Sequence, residues 1–124
     1  MIDAALIFAF IEVESSGKPS AFLADRNGGS YGWMQIDYQT AVDRGYTGPA
    51  TGLFDPCTNI EYGCKILEWI STDLIKHGIY SIENLAAAYN SGLQRIIDGG
   101  TDTVYSGKII AAHARWQAAL GGRY

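Results

Sequence analysis

Residues 8–19 read FAFIEVESSGKP, and the fold turns on how this stretch is read. Ala4, Ala5, Leu6 and Ile7 precede it, so the run has the apolar density of a buried helix. Yet it carries Glu12 and Glu14 just before a Ser15-Ser16-Gly17 stop. An ionised carboxylate is rarely left in a core, because burying it without a partner is costly. At about 100° per residue, Glu14 falls near the directions of Ile7 and Phe10, with Ile11 alongside, whereas Glu12 points nearly the opposite way. Glu14 is therefore a candidate desolvated acid, whose pKa an apolar setting raises so that it holds a proton at working pH. The plainer alternative is a Glu that reaches a polar cap at the helix end.

The totals narrow the choice. The chain has 124 residues, enough for one domain with a real core and little room for a second module. It is 48% apolar and 18% charged, the balance of a globular protein rather than a disordered one. A net charge of −4, with no Lys/Arg run, offers no electrostatic grip on nucleic acid. The apolar start lacks a basic leader and a small-residue cleavage site and ends in Glu-Val-Glu, so it reads as a first helix, neither a signal peptide nor a membrane span. Cys57 and Cys64, on one helix, would lie about 10 Å apart, beyond the roughly 4.4–6.8 Å a disulfide needs. Two buried, unbridged thiols are expected, and with no neighbouring His or further Cys no metal site.

Helical signals dominate. A first helix is expected over residues 3–15 with Asp3 as N-cap, then a long Gly/Ser/Asn/Asp loop over 16–37 with an extended piece or small β ribbon near 31–36. A loop of that length in a small domain is usually functional. Further helices are expected over 38–44, over 58–77 with a stripe through Ile60, Cys64, Leu67, Ile70 or Ser71, and Leu74, over IENLAAAYN behind Ser81, and over 104–120. The fold class is mostly α with a small β element, a single domain over residues 1–124.

Three further segments bear groups suited to chemistry. In GGSYGWMQID, small residues let the backbone approach a ligand, Ser30, Tyr31 and Met34 offer contacts, and Gln35 and Asp37 offer polar groups two apart. In AAAYNSG, Tyr89 and Asn90 place a phenol and an amide on the last turn of a closely packable helix. In ADRNGG, Asp25 is a possible second carboxylate, since glycoside hydrolysis pairs an acid with a base or nucleophile. Each segment taken alone reads as well as a turn, a helix contact or a cap.

Together, and in this order, they resemble the lytic transglycosylase and goose-type lysozyme family. The family signature is Glu-Ser-Ser at a helix end, Gly-Leu-Met-Gln, Asp-Pro-x-x-Asn-Ile-x-x-Gly and Ala-Tyr-Asn-Ala-Gly. This chain carries Glu14-Ser15-Ser16, Gly32-Trp33-Met34-Gln35, Asp55-Pro56 with Asn59-Ile60 and Gly63, and Ala88-Tyr89-Asn90-Ser91-Gly92. The resemblance runs over residues 7–118. It implies a lysozyme-like helical domain cutting peptidoglycan between N-acetylmuramic acid and N-acetylglucosamine, with Glu14 as the acid, Tyr89 contacting that acid, and Gln35 and Asn90 contacting glycan.

Gly17, Trp33 and Ser91 depart from the pattern. Asp37 after Gln35-Ile36 is similar to goose-type lysozymes, and Asp25 falls near where these carry another carboxylate. That favours hydrolysis, with Asp25 or Asp37 positioning water. The alternatives are transglycosylation to a 1,6-anhydro end, a chitooligosaccharide substrate, or a glycan-binding module without turnover. The resemblance implies a monomer acting outside the cytoplasm. No cofactor is expected, because acid catalysis on an acetal needs none.

Overall fold

The computed structural model describes residues 2–25 and 27–121. In chain order the described elements are α1 (Ala4–Ser15), β1 (Phe22–Leu23), β2 (Ser30–Tyr31), β3 (Ile36–Asp37), α2 (Tyr38–Asp43), a single 3-10 turn (Ala50–Phe54), α3 (Pro56–Lys76), α4 (Ile82–Ser91), α5 (Leu93–Ile97) and α6 (Thr103–Leu120). The mostly helical expectation holds, and the ribbon is an antiparallel sheet in the order β1-β2-β3. The extended piece expected over 31–36 is two strand ends separated by a turn, because Gly32 and Gln35 both take positive φ.

The helix starts follow from their caps. Asp3 Oδ1 accepts from the Leu6 N–H at 2.7 Å, as the sequence suggests. Ser81 Oγ accepts from the Asn84 N–H at 3.0 Å. Helix α3 begins two residues earlier than expected. Asp55 caps it, accepting from Thr58 N and Oγ1 at 3.0 Å each, and Pro56 fills the first helical position, where its missing N–H costs nothing.

The chain divides into two compact units, one of residues 1–9 and 67–124, the other of residues 10–66. In the first, Leu6, Leu74, Leu85, Ala86 and Ile109 are fully or almost fully buried. There His113 Nε2 lies 3.1 Å from Asp3 Oδ1, tying the start of α1 to α6, and Phe8 meets Trp116 with ring centroids 5.0 Å apart. In the second, Phe10, Met34, Ile36 and Leu53 are wholly buried, and so is one polar side chain, Asn59.

Asn59 is bonded through each polar atom. Its Oδ1 accepts from the Met34 N–H at 2.8 Å. Its Nδ2 donates to the Tyr31 carbonyl at 2.7 Å and the Leu53 carbonyl at 2.8 Å. One amide on α3 thus fastens the β2 strand, the turn after it and the 3-10 turn. Two glycines make the approach possible. Gly32 has φ +74°, and a Cβ there would come within 2.5 Å of Asn59 Nδ2 and 2.9 Å of the Leu53 carbonyl. A Cβ on Gly63 would run into Met34 Sδ.

The two thiols are unbridged, as expected, but Cys57 is exposed rather than buried, since it lies in the first turn of α3. No described helix is long and apolar enough to cross a membrane. Asn59→Ala leaves three buried backbone groups without their partner, at about 1–3 kcal/mol each. Chemical denaturation should therefore show a loss of about 3 kcal/mol or more with an unchanged slope; a loss below about 1 kcal/mol would remove Asn59 from this role.

Candidate functional site

Glu14 occupies the last turn of α1, between the buried Ile11 and Ser15, and is half-buried. Glu12 is half-buried too, so periodicity does not set the two carboxylates apart as cleanly as expected. What distinguishes Glu14 is the stop just beyond it. Ser15 Oγ donates to the Ile11 carbonyl at 2.9 Å, and Ser16 N–H donates to the Glu12 carbonyl at 2.9 Å. Ser16 then turns left-handed at φ +54° and Gly17 follows at +77°. Trp33 Nε1 donates to the Gly17 carbonyl at 3.1 Å, so the indole pins the chain leaving the helix.

Gln35 is the other described non-glycine residue with positive φ, at +49°. Such a conformation costs of order 1 kcal/mol and persists only where its surroundings impose it. Here Gln35 Nε2 donates to the Gly32 carbonyl at 3.0 Å and the Ala21 carbonyl at 3.1 Å. Both amide hydrogens are therefore spent on the loop, and Oε1 is the atom left for a ligand's donor.

Two expected ligand contacts move into the core. Met34 is wholly buried, and Tyr31 is 8% exposed, with its hydroxyl donating to the Gly28 carbonyl at 2.7 Å and its ring against Phe22 and Phe54. Both are packing residues of the sheet. Alternation places Tyr31 inward and leaves Ser30 half-buried.

Asp25, Ser30 and Asp37 do come together. Ser30 pairs with Asp37 across β2 and β3, and its hydroxyl donates to Asp25 Oδ2 at 3.0 Å. Asp25 Oδ1 accepts from the Asn27 N–H at 2.8 Å and the Gly29 N–H at 2.9 Å. The Gly29 N–H above all holds the Asp25 carboxyl below its ordinary value of 3.8, opposed by desolvation, with Asn27, Ser30 and Asp37 lowering it further. Asp37 caps α2, its Oδ2 accepting from Thr40 N at 2.9 Å and Thr40 Oγ1 at 2.8 Å. Each aspartate thus has a defined job in holding the backbone.

In the other unit, Tyr89 is half-buried and Asn90 exposed at the end of α4. Asn90 Nδ2 donates to Asp102 Oδ2 at 2.7 Å, and Ser91 Oγ donates to the same oxygen. The Ser91 hydroxyl above all, then the Asn90 amide, hold Asp102 below 3.8. Asp102 lies outside the segments that the sequence singles out for chemistry. Its position before a helix suggests a cap, and nothing local reports that its carboxylate turns back to residues 90 and 91. Among the described residues, no group of three or more His, Cys, Asp or Glu is placed to hold a metal ion.

With this geometry in hand, comparison with known proteins is specific. The profile of the family described as "Transglycosylase SLT domain" matches residues 1–108. The chain belongs to that family. Among solved structures, it is similar to the 70 kDa soluble lytic transglycosylase SLT70 from Escherichia coli, at 26% identity and a TM-score of 0.74. The match covers 98% of this chain and 22% of that one, so the chain spans about a fifth of that enzyme's length. No curated protein matched.

The bonding of the two loop aspartates gives two expectations. A depressed folded-state pKa contributes stability above the unfolded value and loses it as pH falls through the folded one. Asp25 should therefore titrate below 3.8 by carboxyl NMR, with the Gly29 amide shifting in step; a midpoint at or above 3.8 would mean the loop bonds are absent in solution. Asp37→Ala should cost about 1 kcal/mol as a lost N-cap, while Asp37→Asn should cost only a few tenths. Equal losses would show that the charge, not the cap, matters.

Proposed function

We propose that this chain is the catalytic domain of a lytic transglycosylase. It cleaves the β-1,4 bond between N-acetylmuramic acid and N-acetylglucosamine in peptidoglycan and closes the muramic end on itself. Glu14 protonates the glycosidic oxygen, and the N-acetylglucosamine 4-hydroxyl leaves. The muramic C6 hydroxyl then bonds to C1, giving up its proton to the Glu14 carboxylate. One 1,6-anhydro end forms, no water is consumed, and the acid is restored. Such a reaction takes place outside the cytoplasmic membrane, where the polymer lies.

The observation that carries this reading is the bonding of Asp25 and Asp37. A hydrolase of this kind needs a second carboxyl to orient water across the bond. Here Asp25 binds two backbone N–H groups and a hydroxyl, and Asp37 binds the first turn of α2. Family membership and the likeness to a lytic transglycosylase weigh on the same side. The hydrolytic lysozyme reading, which the sequence favoured, becomes the second choice. It retains one supporting observation, the approach of Asp25, in the loop after β1, to Asp37 on β3 through Ser30.

Gln35 Oε1, Asn90 and Ser30 are proposed as glycan contacts, and Tyr89 as a hydroxyl serving the same reaction. Its loss in Tyr89→Phe should slow turnover without altering thermal stability. The decisive experiment digests purified peptidoglycan and identifies the soluble ends by mass spectrometry. Anhydro-muramic ends should appear, vanish with Glu14→Gln, and persist with Asp25→Asn and Asp37→Asn. Reducing muramic ends that vanish with Asp37→Asn would establish the lysozyme instead. Activity on chitooligosaccharides but not peptidoglycan would overturn the substrate.

A further inference from the structure

Asn90 is exposed, yet its side chain is held. The amide and the Ser91 hydroxyl converge on one oxygen of Asp102, and the loop that carries Asp102 is itself braced. Arg95 Nη2 donates to the Thr101 carbonyl at 3.2 Å, the Gly100 N–H donates to the Arg95 carbonyl at 2.8 Å, and the Arg95 charge also favours the Asp102 carboxylate. As the N-cap of α6, Asp102 makes no side-chain cap hydrogen bond, while its carboxylate accepts from both residues at the end of α4. A residue placed to cap α6 thus serves chiefly the end of α4.

The chemistry of an amide settles what this does. An ionised carboxylate only accepts, so the Asn90 group facing Asp102 must be Nδ2, and the amide cannot flip without setting two oxygens against each other. Oδ1 is then turned away from Asp102. We propose that Asp102 is a positioning residue: it locks the Asn90 amide so that Asn90 offers Oδ1, an acceptor, to hydroxyl or acetamido N–H donors of the glycan. Ser91, standing where the family pattern has alanine, reinforces the lock through the same oxygen. The proposal rests on Asn90 contacting glycan, and the lock serves binding more than the chemical step.

The test measures apparent KM and kcat on purified peptidoglycan for the wild type, Asp102→Ala, Asn90→Ala and the double variant, with thermal midpoints alongside. Asp102→Ala removes one charge-assisted hydrogen bond from the Asn90 amide and should raise KM by about tenfold with kcat little changed. Asn90→Ala should do the same, and the double variant should be no worse than Asn90→Ala. A swap supplies the rescue. Asn90→Asp alone sets two carboxylates together and raises KM, whereas Asn90→Asp with Asp102→Asn restores both the bond and the acceptor and should recover most of the loss.

Multiplying effects of Asp102→Ala and Asn90→Ala, or a swap without rescue, would overturn the lock. An Asn90→Ala variant with unchanged KM, in an enzyme that Glu14→Gln inactivates, would remove Asn90 from binding and leave the proposed reaction standing. Should Asp102→Ala fail to fold, the wild type still decides. The Asn90 NH2 resonances, identified by their absence in Asn90→Ala, should exchange with water more slowly than those of another exposed side-chain amide, and equal exchange would overturn the proposal.

Discussion

A single buried amide sets the geometry of the loop behind Glu14. Asn59 satisfies Met34 N–H, Tyr31 C=O and Leu53 C=O from one position on α3, and at 0% exposure it has no water to fall back on. Much of the family-like pattern follows from that constraint. Gly32 lets the backbone come near the amide, Gly63 leaves room for Met34, and Asp55-Pro56 starts the helix that carries it. These residues build a scaffold and need not touch a ligand. Gln35 reaches its left-handed conformation directly after Met34, in the turn that Asn59 holds.

Inside that scaffold the acidic side chains divide by what they bond. Asp25, Asp37 and Asp55 each accept from backbone N–H groups, and Asp25 and Asp55 are held below 3.8 chiefly by those bonds. The bonded oxygens of all three are directed at the chain. A reaction needing one proton donor and no activated water makes no demand on them. Glu14 stands on a helix among apolar residues, two residues before the chain takes two successive left-handed conformations.

The helices were legible in the sequence because their signals are local. Apolar runs, Asp3 and Ser81 as caps, and Gly78 and Gly121 as stops mark α1, α3, α4 and α6 to within two residues. The loop was legible as a functional segment but not in its contacts. GGSYGWMQID does not reveal that Tyr31 and Met34 turn inward, because which face is buried depends on α3, more than twenty residues away. Asp25 and Asp37 looked like catalytic carboxylates from their order in the chain, and only hydrogen-bond geometry distinguishes a cap from a base. The role of Asp102 is hidden in the sequence for the same reason, its partners lying 11 and 12 residues back.

In the proposed reaction no protein carboxylate delivers water to the cleaved bond. Digestion of purified peptidoglycan in water enriched in oxygen-18 tests it directly. With Asp25 and Asp37 bound to the backbone, the newly formed muramic ends should carry no label, since their C1 oxygen comes from the sugar's own C6 hydroxyl. One labelled oxygen per new end would contradict this, showing that water attacks C1 and that one of the two aspartates leaves its backbone partners to direct it.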